Sequence, residues 1–322
     1  MDFATSVPDF RRAGKGNIRH CLVDIIMLMI LGRASGHVGR SEIIAFGRHN
    51  LNRFRKMGML GNGAPSEATL CRVEHGIDEL SMADRMREFA ETYHARLLKC
   101  NVGMEIICVD GKAERGTVLE NGCSPDIVSA YSPSSGITLA TEACHEKSNE
   151  IKAVPQLLDK IDVAGKILTA DAMSMQKDIV DKVRGNGGDY LIELKANQRA
   201  LFYGIEDGLR KRTPLYSYTD GPELGHGRIE TRRYVTSLPA DTPLLGSIVR
   251  THWSIESMHW ELDVNLQQDR IRRRSSKSAR NLDTIQRIVH SVFSIWRRLR
   301  KKKADRRKGL SGSTTNRVRD TI

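Results

Sequence analysis

The sequence predicts a mixed α+β chain in which a helical N-terminal part is followed by a mixed sheet with helices packed on it. Residues 1–100 carry apolar side chains at helical spacing, interrupted by capping residues and glycine-rich breaks. Near Val102 the texture changes to short, branched apolar runs bounded by turn residues. Those runs alternate with two helical stretches in the order β-β-β-α-β-α-β, an order that calls for a mixed sheet covered by helices.

In the N-terminal part, Cys21 to Leu31 reads as a strongly apolar, buried helix. Ser41 is placed to cap a second helix running to Phe54, with Ile43, Ile44 and Phe46 on its apolar side. Gly61-Asn62-Gly63-Ala64-Pro65 is a break, after which Ser66 caps a helix through Val73, and Met82 to Leu98 is amphipathic. The strands are expected at Met104–Val109, Ile127–Tyr131, Gly136–Ala143, Lys166–Ala170 and Tyr190–Leu194. Helices are expected over Asn149–Ile161 and Ala172–Val183. The stretch from Leu201 to Ser247 is polar and weakly patterned; long helices follow over Ile248–Leu266 and Asn281–Leu299. Residues 300–322 form a basic, Ser/Thr/Gly-containing tail expected to be disordered.

The formal net charge is +12, from 51 Lys and Arg against 39 Asp and Glu. Such a balance favours a polyanionic partner, nucleic acid first. The six cysteines form no Cys-x-x-Cys pair and no zinc-finger spacing, which fits a reducing cytoplasm. Asp2, Asp9, Arg11 and Arg12 precede any apolar stretch, so no signal peptide is expected. The apolar run Ile25–Leu31 is far short of the ~20 residues that cross a membrane.

Two apolar strands end on an aspartate, at Asp110 and at Asp171. Carboxylates that converge at a sheet edge repel, and a divalent cation relieves the repulsion. Two such ions ~4 Å apart can activate an attacking oxygen and stabilise a leaving one in phosphodiester chemistry. Structural roles compete: Asp110-Gly111 is a turn signal, and Asp171 can cap a helix beginning at Ala172. A third carboxylate, Glu256, lies in a helix where His252, Glu256, His259, Trp260 and Asp263 are spaced to share one stripe. Glu256 could reach a metal held by the aspartates. A zinc site on His252, Glu256 and His259 is the rival, and Glu261 is a competing third acid placed well round the helix.

Basic residues accumulate in the same half: Lys112, Lys195 with Asn197 and Gln198 after it, Arg228 and Arg232 around Glu230, and Arg250. Together they could hold phosphates beside the acids. Arg270, Arg272, Arg273 and Arg274 form a second cluster, and the terminal run a third. Pro65–Val73 has the look of a weak DNA-recognition helix.

These residues, taken in order, resemble bacterial insertion-sequence transposases of the Asp-Asp-Glu type, in the group of the H-repeat-associated proteins. The matches are Val109-Asp110-Gly111-Lys112 with Arg115, Thr169-Ala170-Asp171-Ala172 with Gln176, and Asp189-Tyr190 with Lys195-Ala196-Asn197-Gln198. They continue through Gly227-Arg228-Ile229-Glu230-Thr231-Arg232, His252-Trp253-Ser254-Ile255-Glu256 and His259-Trp260-Glu261-Leu262-Asp263-Val264. N-terminal matches are His20, Asp24, Gly63-Ala64-Pro65-Ser66, Thr69 and Arg72.

The resemblance implies a helical domain over 1–100 and a ribonuclease-H-like α/β catalytic domain over 101–299. It implies Asp110, Asp171 and Glu256 as a catalytic, metal-binding triad for Mg²⁺, with Mn²⁺ as substitute. The partners implied are insertion-sequence ends and target DNA, met by a homodimer on the DNA, in the cytoplasm and away from membranes. Lys195, Asn197, Arg228 and Arg232 become the implied DNA contacts. The chain also departs from the family: it passes almost directly from Arg232 to Tyr234-Val235-Thr236-Ser237-Leu238, as after an internal deletion near 232–234. Gln268 stands before Asp269 where the family has Glu, and the tail beyond Lys308 does not match. A degenerate, non-catalytic DNA-binding remnant is therefore the alternative reading.

Overall fold

The computed structural model describes residues 2–12, 18–98, 104–118, 122, 124–144, 150–209, 232–239, 242 and 245–317. Six helices come first: α1 (Asp2–Ser6), α2 (Leu22–Ala34), α3 (Arg40–His49), α4 (Leu51–Lys56), α5 (Glu67–Gly76) and α6 (Glu79–Leu98). α2 is buried along most of its surface because nearly every residue from Leu22 to Leu31 is apolar. Ser66 caps α5 as expected, its hydroxyl accepting from the Thr69 amide at 3.2 Å. The cap of α3 differs from the expected Ser41. The helix starts after Gly39, and Glu42 reaches back to accept from the Val38 and Gly39 amides at 2.7 and 3.2 Å. The expected helix over Ser41–Phe54 is two helices. Asn50 breaks it by turning its own amide onto the Phe46 carbonyl at 3.0 Å.

The sheet is built from β1 (Ile106–Ala113), β2 (Asp126–Ser132), β3 (Ile137–Ala143), β4 (Ile167–Ala170), β5 (Asp189–Leu194) and β6 (Arg233–Thr236), in the order β3-β2-β1-β4-β5-β6. β1 pairs antiparallel with β2, and β2 with β3; β1–β4 and β4–β5 are parallel; β6 closes the far edge antiparallel to β5. α7 (Glu150–Leu158) and α8 (Lys177–Gly185) are the crossover helices. α9 (Arg199–Leu209) and β6 lie in the stretch read as weakly patterned, and β6 occupies the residues that follow the inferred deletion point.

The expected long helix over Ile248–Leu266 is interrupted. α10 (Leu245–His252) stops at Trp253, α11 (Ser254–Trp260) restarts, and a π turn spans Glu261–Asn265. Hydroxyls occupy the carbonyls around the break: Thr251 donates to Ser247 O at 2.7 Å, and Ser254 to Thr251 O at 2.6 Å. The last helix, α12 (Ser276–Arg317), begins before Asn281 and carries on past Leu299 through the basic run. Lys and Arg are good helix formers, so charge alone does not end it.

Alternation along the strands sorts the core. Ile107, Val109, Leu168, Ala170 and Ile192 pack with α7 and α8 on one face. Cys108 and Tyr131 face the other way, into a core shared by α1–α6, α11 and α12. The helices α1–α6 thus bury their apolar faces against the sheet and the C-terminal helices. Among the described residues, no helix is long and apolar enough to cross a membrane.

Candidate metal and DNA site

β1 does not end at Asp110. It runs on through Gly111 to Ala113, paired with β2, so Asp110-Gly111 is strand and not a turn. What ends there is the parallel pairing: Val109 lies opposite Ala170, and β4 stops. Asp110 and Asp171 are therefore the next residues on neighbouring strands. Both share the parity of Cys108 and Thr169, the face turned to α10 and α11.

Asp171 also performs the capping role. Its Oδ1 accepts from the Met173 amide at 3.1 Å and opens a 3₁₀ turn over Ala172–Ser174, and α8 begins only at Lys177. Burial, and then the charge of Asp110, push the Asp171 carboxyl above its usual range; the Met173 and Ser174 amides and Lys195 pull it back. Thr169 and His252 hold the site from one side, with 2.9 Å between Oγ1 and Nδ1. Burial depresses His252, against the opposing fields of Asp110, Asp171, Glu256 and Glu193. His259 Nδ1 stands 3.5 Å from Asp110 Oδ2, and its buried Nε2 meets no partner.

The break at Trp253 dissolves the single stripe expected from helical spacing. His252 serves β4, His259 faces β1, and Trp260 points outward with 58% of its surface exposed. Glu256 sits in the first turn of α11, exposed, near enough for its charge to act on His252. Among the described residues, no three His, Cys, Asp or Glu side chains come together closely enough to hold an ion as they stand. Asp110 and Asp171 nonetheless fit a hard divalent cation: both offer oxygen donors, and burial and then the charge of Asp110 oppose ionisation of Asp171. The His252/Glu256/His259 zinc alternative is not assembled, because the two histidines serve different strands. Glu261 is turned away and paired with Arg297 at 2.9 Å.

One acid escaped the sequence reading. Glu150, at the start of α7, lies over Gly111 so closely that a methyl group there would meet its Oε1 at 2.5 Å. Burial and then the charges of Asp126, Asp171 and Asp110 raise its carboxyl. The glycine directly after Asp110 was the available signal, since it permits close approach.

The basic candidates divide. Lys112 is buried, with its ammonium 2.7 Å from Asp263 and 3.6 Å from Asp269, so its charge is already matched inside the fold. Lys195 is exposed and pairs with Glu193 at 2.9 Å, beside Asp171. Asn197 donates to the Ala172 carbonyl at 2.7 Å and Gln198 to Met175 at 2.8 Å, pinning the turn that carries Asp171. Arg232 lies over the Trp253 ring at 4.7 Å. Arg250 is exposed in the last turn of α10. Arg228 lies outside the described residues.

A half-buried pair of acids where the parallel β1–β4 pairing ends lies beside a carboxylate-bearing helix and several cations. The chain belongs to the DDE transposase family. The family described as "Transposase DDE domain" matches residues 119–291, and "DDE_Tnp_1-associated" matches residues 1–90. Asp171 and Glu256 fall inside the first match and Asp110 just before it. Among relatives in Escherichia coli, the H repeat-associated protein YbfD of strain K12 is 32% identical over 73% of this chain and 92% of its own length. YhhI, also H repeat-associated and of strain K12, is 26% identical over 95% of each chain. YncI of strain O157:H7 is 29% identical over 91% of this chain and 86% of its own. A solved structure of piggyBac transposase, in a synaptic complex with hairpin DNA, superposes with a TM-score of 0.51 at 10% identity, covering 94% of this chain and 74% of that one. That likeness bears on the fold alone.

Proposed function

We propose that the protein is a transposase that cleaves DNA strands at the ends of an insertion sequence and transfers them to target DNA. The observation that carries this reading is the placement of Asp110 beside Asp171, where the β1–β4 pairing ends. The strand order, with three antiparallel strands followed by two parallel ones, supports a ribonuclease-H-like catalytic domain over 101–299, preceded by a helical domain over 1–100.

Asp110 and Asp171 would hold Mg²⁺, or Mn²⁺ in its place, and Glu256 would supply the third carboxylate by turning inward from α11. The metal, when bound, activates the attacking oxygen and neutralises charge at the phosphodiester. The chain's own residues do the rest. Asn197 and Gln198 fix the turn that aims Asp171. His252 holds α10 to β4, and His259 stands behind Asp110. Lys195, Arg232 and Arg250, with Arg228, would receive the phosphates and position the strand in line. The protein would act as a homodimer on DNA, in the cytoplasm.

The test is strand cleavage of the element's end DNA in Mg²⁺ and Mn²⁺. Asp110→Asn, Asp171→Asn and Glu256→Gln should each abolish nicking while DNA binding persists. Unchanged nicking in all three sinks the assignment.

A second reading, a DNA-binding remnant, has one observation in its favour. The alignment with YhhI spans 366 positions yet draws on 95% of a 322-residue chain, so gaps open on this side of it. An internal deletion near 232–234 would account for those gaps. Salt-sensitive DNA binding by the parent protein, with no metal-dependent nicking, would favour the remnant.

A further inference from the structure

A cavity of about 430 Å³ lies between the β2–β3 hairpin, α11 and α12. Ser254 and Ser257 of α11 and Glu261 of the π turn that follows line it. They are spaced by three and four residues, on the side turned well away from Glu256 and Asp263. The cavity is therefore separate from the acidic site. Its floor is Tyr131, Met258 and His290, all buried. Its mouth is the exposed Ser257 and Lys301, with Arg298 alongside.

Among the described residues that line this cavity, the cations outnumber the one carboxylate, Glu261. Glu261 is taken up by Arg297, whose two terminal nitrogens reach its oxygens at 2.9 and 3.0 Å, and by His290 at 3.4 Å. Those partners hold the Glu261 carboxyl down at about 2. Arg298 donates to a neutral acceptor, the Pro133 carbonyl, at 2.5 Å. Among the described residues, no carboxylate is paired with Arg298 or Lys301. His290 is only 3% exposed, and its Nδ1 is buried with no partner. An anion at the mouth would match the cations, and a polar group deeper in would satisfy the imidazole.

We infer that this cavity binds one nucleotide unit, with its phosphate at Arg298 and Lys301 and its base over Tyr131. The volume lies within the range of small-ligand sites, roughly 300–1,000 Å³. Tyr131, edge-to-face with His290, brings an aromatic ring to the lining where a base would pack, and Met258 an apolar flank. Ser257 and Ser294 add hydroxyls to the lining, donors and acceptors that a sugar or base edge could use. A bare oxyanion would use the rim and leave the floor unused. The nucleotide could come free from solution or from an unpaired end of a DNA strand, and the chemistry of recognition is the same for both.

The test uses the full-length protein and two probes. Deoxyadenosine monophosphate is titrated calorimetrically, with inorganic phosphate as competitor. A fluorescent duplex with one unpaired terminal nucleotide is compared with its blunt counterpart by anisotropy. Ser257→Trp plugs the mouth and Lys301→Glu reverses its charge. Both positions are exposed, and melting temperatures confirm that the variants fold. Each variant should weaken the responding probe by about tenfold or more. A response from the free nucleotide, from the unpaired end (as tighter binding than the blunt duplex) or from both identifies the source. The inference is overturned if neither probe responds, if folded variants bind as the parent does, or if inorganic phosphate competes as well as the nucleotide. Because no readout involves nicking, failure here is distinct from failure of the acidic site.

Discussion

The carboxylate of Asp171 accepts from a backbone amide on one side and meets the charge of Asp110 on the other. A carboxyl whose folded value is raised favours the protonated form in the native state. Its contribution to stability is present at low pH and is lost as pH rises through the carboxylate range. Removing that charge should therefore stabilise the metal-free protein at neutral pH. Asp171→Asn keeps the oxygen that caps the 3₁₀ turn and should raise the melting temperature by about 2 °C, with the gain vanishing in acid. Thermal unfolding at pH 7 and pH 3.5 reads this directly; a lower melting temperature at pH 7 contradicts it. Glu150 feels the same acids and is raised for the same reasons. A cation held there, as proposed, would relieve that repulsion.

Packing of whole elements depends on a second charged cluster. Glu74 of α5 is fully buried and receives Arg40 from α3 at 2.6 Å and Arg273, ahead of α12, at 3.3 Å. Arg33 of α2 lies close by, 3% exposed, with none of its guanidinium nitrogens hydrogen-bonded within the protein. Burial pulls it down to about 10, partly offset by Glu74. The two ends of this cluster should respond in opposite directions. Glu74→Gln strands buried cations and should cost about 3–5 kcal/mol in denaturant unfolding, whereas Arg33→Met should be neutral or stabilising by about 1–4 kcal/mol. Loss of stability in Arg33→Met by more than about 1 kcal/mol would show that the guanidinium is satisfied in solution.

At this same scale the sequence was legible where periodicity is strong. All five expected strands and the two crossover helices form, because branched apolar runs and turn residues agree with the tertiary context. It was less legible where side chains compete with the backbone. Asn50 splits α3 from α4 through a bond to Phe46, and Thr251 and Ser254 help divide α10 from α11. That second break is why His252 and His259 serve different strands and not one helical stripe. β6 escaped notice because Arg233–Thr236 is a short edge strand whose pairing depends on β5.

For the molecule as a whole, a net charge of +12 on a mixed α/β fold of the DDE transposase family supports DNA as the proposed partner. Charge alone could not say which cations face it. Lys112, grouped by sequence with the phosphate contacts, is committed to Asp263 and Asp269 inside the fold. Asn197 and Gln198 act on the turn behind Asp171. The candidate aspartates were legible because each follows an apolar run, and their adjacency required the parallel register of β1 with β4. The proposed metal site depends on this register, which brings the two carboxylates together. Mn²⁺ titration followed by electron paramagnetic resonance tests it most directly, on the parent protein and on Asp110→Asn and Asp171→Asn. Saturable Mn²⁺ binding is expected of the parent, weakened at least about tenfold by either substitution without unfolding the protein. Equal binding by the parent and both variants would contradict it.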